Sequence, residues 1–227
     1  MRVNRIEKQA FLNVKSVGSH RTFEDLELVR CEFTGANLAQ FDDPEFNLVV
    51  RNVTATRCTV KRSGVQGVRF EEVLIDGLTT GSAPALHGCV FRHVTLRGRI
   101  GGLLFQPPNP TLPADVREAF TAGALRYYQD VDWAIDITEA EFAGDVNFFF
   151  VPGHLVRRDV ETQYLLRRET FAGMDLGGFP LLARVAVERF EATPFDSIVA
   201  IAPKRDKTFF PKMKAAMDEL RNAGLAE

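Results

Sequence analysis

The sequence predicts a mainly β chain wound as a solenoid of short repeats, interrupted by a helical insertion and closed by a C-terminal helix. Three observations carry that expectation. Apolar residues recur at every fifth position through much of the first half. Nineteen Phe stand against three Tyr and one Trp, an aromatic set without polar handles that points to ring burial. The stretch Gln106-Pro107-Pro108-Asn109-Pro110-Thr111-Leu112-Pro113 must end any regular element, because proline lacks a donor and constrains its predecessor.

The pentads start at Phe23. Centre positions are Phe23, Leu28, Phe33 and Leu38, with Leu26, Cys31 and Ala36 two residues before the later three. The frame slips through the acidic turn Asp42-Asp43-Pro44. It resumes as Ala55, Val60, Val65, Phe70, Ile75 and Thr80, paired with Val53, Cys58, Ser63, Val68, Val73 and Leu78. After Gly81-Ser82-Ala83-Pro84 it returns as Cys89/Phe91 and Val94/Leu96, then as Ile135/Ile137, Ala140/Phe142 and centres at Phe171, Leu176 and Leu181. All three cysteines, Cys31, Cys58 and Cys89, share the slot two before the centre, as small buried hydrophobes would. Five matches neither the helical period of 3.6 nor the strand period of 2. It suits stacked coils with a corner every fifth residue and two inward side chains per pentad.

The segments Cys31-Glu32-Phe33-Thr34-Gly35, Ala36-Asn37-Leu38-Ala39-Gln40, Val73-Leu74-Ile75-Asp76-Gly77 and Met174-Asp175-Leu176-Gly177-Gly178 carry a resemblance to the pentapeptide-repeat family. That resemblance implies a right-handed β-helix with about four pentads per coil, over roughly 21–105 with weaker patches at 135–144 and 169–183. It makes 1–105 a β-helical repeat region and 106–134 a Pro-rich loop and helix insertion. Residues 135–227 become continued degenerate repeats, an irregular insertion and a capping helix, all within one structural domain. An internal ladder would then hold Phe23, Phe33, Phe70, Phe91, Phe142 and Phe171 with the three cysteines. Phe41, Phe46 and Phe179 fall in the companion slot, where their bulk departs from the pattern. The competing reading is a β-rich, sandwich-like α+β domain in which the fives are fortuitous.

The later segments follow from local signals. A helix is expected after Pro113, with Val116, Phe120, Ala124 and Tyr127/Tyr128 on one face, although Gly123 inside it costs about 1 kcal/mol relative to Ala. Residues 155–166 permit either a hairpin or a helix. Ser197–Ile201 has strand character, and Pro211–Ala223 reads as a helix with Met213, Met217 and Leu220 on one side.

Charge and composition exclude several classes. Twenty-eight basic against thirty acidic residues give a formal −2, which disfavours nucleic-acid binding driven by charge. The first twenty-two residues hold five basic and one acidic, so the excess is local to that segment. No apolar run approaches the ~20 residues of a membrane span. The start lacks an apolar secretory core, and three widely spaced cysteines without Cys-x-x-Cys point to a reducing, cytoplasmic compartment.

Candidate chemistry is sparse. His87-x-Cys89-x-x-x-His93 has metal-ligand content, but the repeat frame turns Cys89 inward and the two histidines outward, so no metal or other cofactor is expected. Asp130, Asp132, Asp136, Glu139 and Glu141 around Trp133 invite a carboxylate-pair reading and equally suit a solvated turn. Tyr127, Tyr128 and Trp133 stand outside the repeats as amphipathic aromatics of the kind enriched at interfaces, and Arg157-Arg158 with Arg167-Arg168 could grip an anion. Tyr127, Tyr128, Trp133, Arg157 and Arg158 are therefore the candidate partner-binding residues, and none is expected to be catalytic.

Three functions compete. The first is a non-catalytic protein–protein interaction module, an immunity or antagonist protein among its forms, with a protein partner of unknown identity. The resemblance supplies the second, since some pentapeptide-repeat proteins mimic DNA and protect gyrase; the net −1 of residues 23–105 argues against it. The third is an enzyme with a site near Asp132, Asp136, His154 and Arg157. The resemblance also implies a homodimer joined through one end, for which the C-terminal helix is the candidate.

Overall fold

Alternating inward positions and extended, β-branched segments make strands of most of residues 4–106. The computed structural model describes residues 3–227. Its first twelve strands are β1 (Asn4–Glu7), β2 (Ala10–Leu12), β3 (Lys15–Val17), β4 (Arg21–Val29), β5 (Glu32–Thr34), β6 (Asn37–Ala39), β7 (Leu48–Lys61), β8 (Gly64–Gln66), β9 (Arg69–Thr80), β10 (Ala85–His87), β11 (Val90–Ile100) and β12 (Leu103–Gln106). Helix α1 (Ala114–Tyr127) follows the proline-rich stretch. Then come β13 (Ile135–Asp136), β14 (Ala140–Phe142), β15 (Val146–Phe148), β16 (Val156–Arg157), β17 (Gln163–Arg167), α2 (Leu181–Glu188), β18 (Ser197–Ile201) and α3 (Phe210–Asn222).

A ten-stranded sheet follows the order β1-β4-β7-β9-β11-β13-β16, with β2, β5 and β14 joined to its sides. A six-stranded sheet runs β15-β12-β10-β8-β6-β3. The strand pairs in both are parallel. Among the described residues only β17 and β18 pair antiparallel, with Leu165 opposite Val199.

This architecture corrects the expected class. With 41% strand and 22% helix in large parallel sheets, the chain is α/β-like and not a mainly β, right-handed pentapeptide solenoid. Two physical reasons stand out. Strands β7, β9 and β11 run for 14, 12 and 11 residues, through successive pentads rather than ending at each. The pentads read at 169–183 form no strand: Arg168–Phe171 is a 3-10 turn, and Pro180 precedes α2. The sandwich alternative fails as well, because parallel strands need crossovers and cannot form its hairpins.

Two columns of left-handed residues bend the long strands. Asp25, Asn52, Glu72 and His93 have φ between 51° and 56° and occupy equivalent registers, between aligned pairs such as Arg51↔Glu71 and Val53↔Val73. Arg30, Arg57, Gly77 and Gly98 form the second column. Non-glycine residues seldom adopt this conformation, which disfavours an uninterrupted flat strand at these points.

The register also shows where chain has been added. Val53 pairs with Val73, 20 residues on, but Leu26 pairs with Val53, 27 residues on. The excess is the turn at 41–47. Val94 pairs with Ile135, 41 residues on, because residues 107–134 intervene. These two interruptions pack together: Phe46 and Phe120 are buried ring edge to ring face at 5.4 Å, and Arg126 pairs with Glu45 at 2.6 Å. Gly123 sits at their closest approach, where a Cβ would overlap the Pro44 carbonyl oxygen.

Two cores result. The larger runs between the parallel sheets and α1, with Phe105 and Phe148 stacked at 4.6 Å and Phe70 and Phe91 at 5.4 Å. The smaller joins the antiparallel pair to α2 and α3 through Tyr164, Leu166, Phe190, Met213, Met217 and Leu220. Residues 155–166 form neither the hairpin nor the helix that the sequence permits. Val156–Arg157 pairs with β13 and Gln163–Arg167 with β18.

Candidate functional site

The densest polar cluster lies on the first left-handed column. A left-handed residue in a strand points its side chain away from the core, so successive members of the column stand above one another. Asn52 donates to Asp25. One step along, His93 Nδ1 lies 2.6 Å from Glu72 Oε1. Its Nε2 lies 2.7 Å from Asp132 Oδ1, in the segment after α1. Both ring nitrogens can donate only in the imidazolium form. The Asp132 hydrogen bond, then that of Glu72, accordingly raises the His93 pKa, and His93 lowers that of Asp132.

The imidazole also stacks on Trp133 at 4.6 Å, and the Arg157 guanidinium lies over the same indole at 4.1 Å. The imidazole stacks and the guanidinium makes a cation–π contact on the same half-buried ring, a stabilising use of the only Trp. Of the candidate partner-binding residues, Trp133 and Arg157 are thus in contact. Tyr127 and Tyr128 are elsewhere. The Tyr127 hydroxyl donates to the buried Glu71 at 3.4 Å, and burial pushes its pKa up. Tyr128 is buried, accepts the Phe91 backbone N–H at 3.2 Å and packs edge-on to Phe195. Both tyrosines anchor α1 on the sheets.

The arginine pairs divide among separate tasks. Arg158 and Arg167 both reach Glu227, at 3.4 and 2.9 Å. Arg168 donates to the carbonyls of Phe190, Thr193 and Phe195 and lies over the Phe190 ring, tying the turn after α2 in place. No single Arg157-Arg158-Arg167-Arg168 grip forms.

The metal-like trio is dispersed too. The Cys89 side chain is fully buried, its thiol donates to the His87 carbonyl at 3.4 Å, and burial pushes its pKa up to about 12. His87 contacts the Pro107 carbonyl, and His93 is engaged by carboxylates. Among the described residues no group of three or more His, Cys, Asp or Glu is placed to hold a metal ion. Asp136 caps Thr138, and Glu141 pairs with Arg205, so the carboxylates around Trp133 do not converge.

Of the four residues of the enzyme reading, Asp132 and Arg157 share the Trp133 cluster and Asp136 is the register partner of Arg157, while His154 turns elsewhere. His154 contacts Ser197 Oγ through both its backbone N–H and Nδ1, each at 3.0 Å, and burial lowers its pKa. Ser197 is only 1% exposed, and the adjacent Asp196 turns to Arg168 at 3.7 Å. A buried serine that already accepts a backbone N–H is a poor nucleophile, and the contact orders the loop before β16.

The residues of the expected ladder separate as well. Cys31, Cys58 and Cys89 are buried in the larger core with Phe91 and Phe142. Phe70 and Phe33 pack at its margin, Phe33 stacked on Phe11 at 4.8 Å. Phe23 is 37% exposed and outside it, and Phe171 belongs to the second core beside Phe190. Glu72 and the His93–Asp132 pairing escaped the sequence reading, because a left-handed position in a strand has no sequence signature unless glycine fills it.

Among the described residues one end of the sheets is covered and the other is not. At the β15/β16 end, β18 packs against β15 and the second core closes over it. At the opposite end β1 and β3 are terminal strands, and β2 pairs only with β5. There Val3, Leu12, Val14 and Val17 are exposed, Leu12 by 64%. No helix among the described residues is long and apolar enough to cross a membrane. No family of known proteins, no characterised protein and no solved structure matches the chain.

Proposed function

We propose that the protein is a non-catalytic interaction module that binds a protein partner on the open edge formed by β1, β2 and β3. The observation that carries this is the asymmetry of the two sheet ends. Unpaired strand edges present free N–H and C=O groups, and natural proteins usually blunt or cover them. Here one end is covered by the chain's own C-terminal layer, while the other combines three edge strands with exposed Leu12, Val14 and Val17. Such an edge suits a partner that adds a strand and buries alternate side chains. Five basic residues against one acidic in the first twenty-two favour a partner with an acidic rim.

The contacts of the candidate catalytic groups support the same reading: Asp132 and Arg157 are engaged by His93 and Trp133, and His154 turns to the buried Ser197. A homodimer is a special case, and the edge suits it better than α3, whose Met213, Met217 and Leu220 are buried within the chain. The reading places the chain in the reducing cytoplasm, in keeping with three free, buried cysteines.

The test is affinity capture from the native cell with the wild-type chain and with a Leu12→Lys/Val17→Lys variant, alongside light scattering of each. Loss of the captured protein, or of a dimer, in the variant supports the edge as the docking site. Equal capture by both chains refutes it. A biological activity abolished by alanine at His154 or Asp136 with capture intact would favour the enzyme reading.

A further inference from the structure

A second feature is independent of the open edge. Where the parallel sheets meet the C-terminal layer, a cleft of about 840 Å³ opens between β12, β14 and β15 on one side and the segment from β18 to α3 on the other. That volume lies within the range of small-molecule sites. Leu104, Phe142, Ile201 and Met213 give it an apolar floor, and Phe149 and Phe209 stand among its walls.

Its charges are unbalanced. Arg99, Arg189, Arg205 and Lys207 line it against Asp145 and Asp206. Arg205 is held by Glu141 at 2.9 Å. Asp206 is committed to α3, accepting the Thr208 and Phe209 N–H groups at 3.0 and 2.8 Å. Arg99, Arg189 and Lys207 enter no ion pair among the described residues, so three unpaired cations face the exposed carboxylates of Asp145 and Asp206.

Arg189 is the most telling of them. It ends α2, is half-buried at the cleft, and has no carboxylate partner among the described residues; burial lowers its pKa. A half-buried guanidinium with no carboxylate partner keeps its donors available to an incoming anion. The same cleft holds Asn147, whose buried Oδ1 has no donor. The volume and the apolar floor exceed what a bare anion fills, so the anion that suits the cleft is carried on a larger body.

We propose that this cleft binds a phosphate monoester of about mononucleotide size, its phosphate held by Arg189, Arg99 and Lys207 and its hydroxyl-bearing body facing Asn147 and the apolar floor. A dianion matches three cations better than a monocarboxylate does.

The test is calorimetric titration of the full chain with adenosine monophosphate, ribose 5-phosphate, adenosine and inorganic phosphate. The esters are expected to bind tighter than about 1 mM, and at least about tenfold tighter than adenosine or inorganic phosphate. Arg189→Gln is expected to lose at least about tenfold, the scale of one charge-assisted hydrogen bond. Because Arg189 is partly buried, the exposed Lys207→Glu serves as a second variant. It is expected to weaken ester binding severalfold with an unchanged circular dichroism spectrum. Arg51→Gln, whose partner is Glu24 outside the cleft, is expected to bind as wild type does. Absence of ester binding at about 1 mM overturns the proposal, as does equal affinity for inorganic phosphate or full affinity in Lys207→Glu.

Discussion

Replacing Gly123 by alanine pits helix propensity against packing. In an exposed helix interior that change stabilises by about 1 kcal/mol, through the backbone entropy that glycine loses on folding. Residue 123 is not exposed. It lies where α1 crosses the Asp42–Phe46 turn, and a Cβ would overlap the Pro44 carbonyl oxygen and stand 3.2 Å from both Pro44 C and Phe46 Cε2. The obstructing atoms are mainly backbone, so no side-chain rotation can relieve the overlap. Either the turn or the helix must withdraw, loosening the Phe46–Phe120 contact and the Arg126–Glu45 pair. Overpacking of this kind costs about 3 kcal/mol at the upper end of its usual range. Subtracting the propensity gain leaves a net loss of about 2 kcal/mol, or roughly 5 °C in Tm for a chain of this size.

Urea and thermal unfolding of Gly123→Ala measure it, with Gly64→Ala as the control. Gly64 has no heavy atom within 4 Å of the added methyl, so its variant should stay within about 0.5 kcal/mol of wild type. A Gly123→Ala protein as stable as wild type, or more so, would show that α1 does not rest on that turn.

Two further outcomes follow from the same kind of reasoning. The folded pKa of His93 is raised, so its ion pairs contribute stability in full below the unfolded value of about 6.5 and lose it as pH rises through the folded one. Asp132 acts in the opposite sense, its contribution vanishing as pH falls through its lowered pKa. Unfolding titrations of His93→Gln should therefore show a flatter stability profile above about pH 6 than wild type, and parallel profiles would refute the pairing. Phe148→Ala removes a ring 1% exposed and stacked on Phe105, and should cost about 3–5 kcal/mol. Phe23→Ala removes a ring that is 37% exposed and should cost under about 1 kcal/mol. Similar losses at both positions would contradict the core described above.

How far the sequence can be read depends on the kind of signal. The slot shared by Cys31, Cys58 and Cys89, two before a pentad centre, carries burial information, since a size-limited inward position collects small apolar residues and all three are buried. The slip at Asp42–Pro44 is visible as a break in the pentad frame, and the structure shows it as a pairing interval of 27 residues in place of 20. The pentad pattern misleads where apolar residues recur by chance in a helical setting. Phe171, Leu176 and Leu181 obey the interval yet belong to a 3-10 turn, a loop and α2. Which elements would form a second core was not legible, since it depends on the distant pairing of β17 with β18. The His93 cluster was hidden because its members, Glu72, His93, Asp132, Trp133 and Arg157, come from four widely spaced segments. The cleft around Arg189 was hidden because an unpaired cation is defined by neighbours it does not have.

The packing of the 41–47 turn on α1 has an evolutionary consequence. Each segment is a departure from the regular pairing interval, and each hides the other's apolar side. A chain that lost the turn would strip cover from Phe120, and one that lost the helix would expose Phe46. The two interruptions therefore behave as a single heritable unit split across some seventy residues of chain. Homologues are expected to carry both or neither, and a length change at one is expected to be answered by a change of side-chain volume at the other.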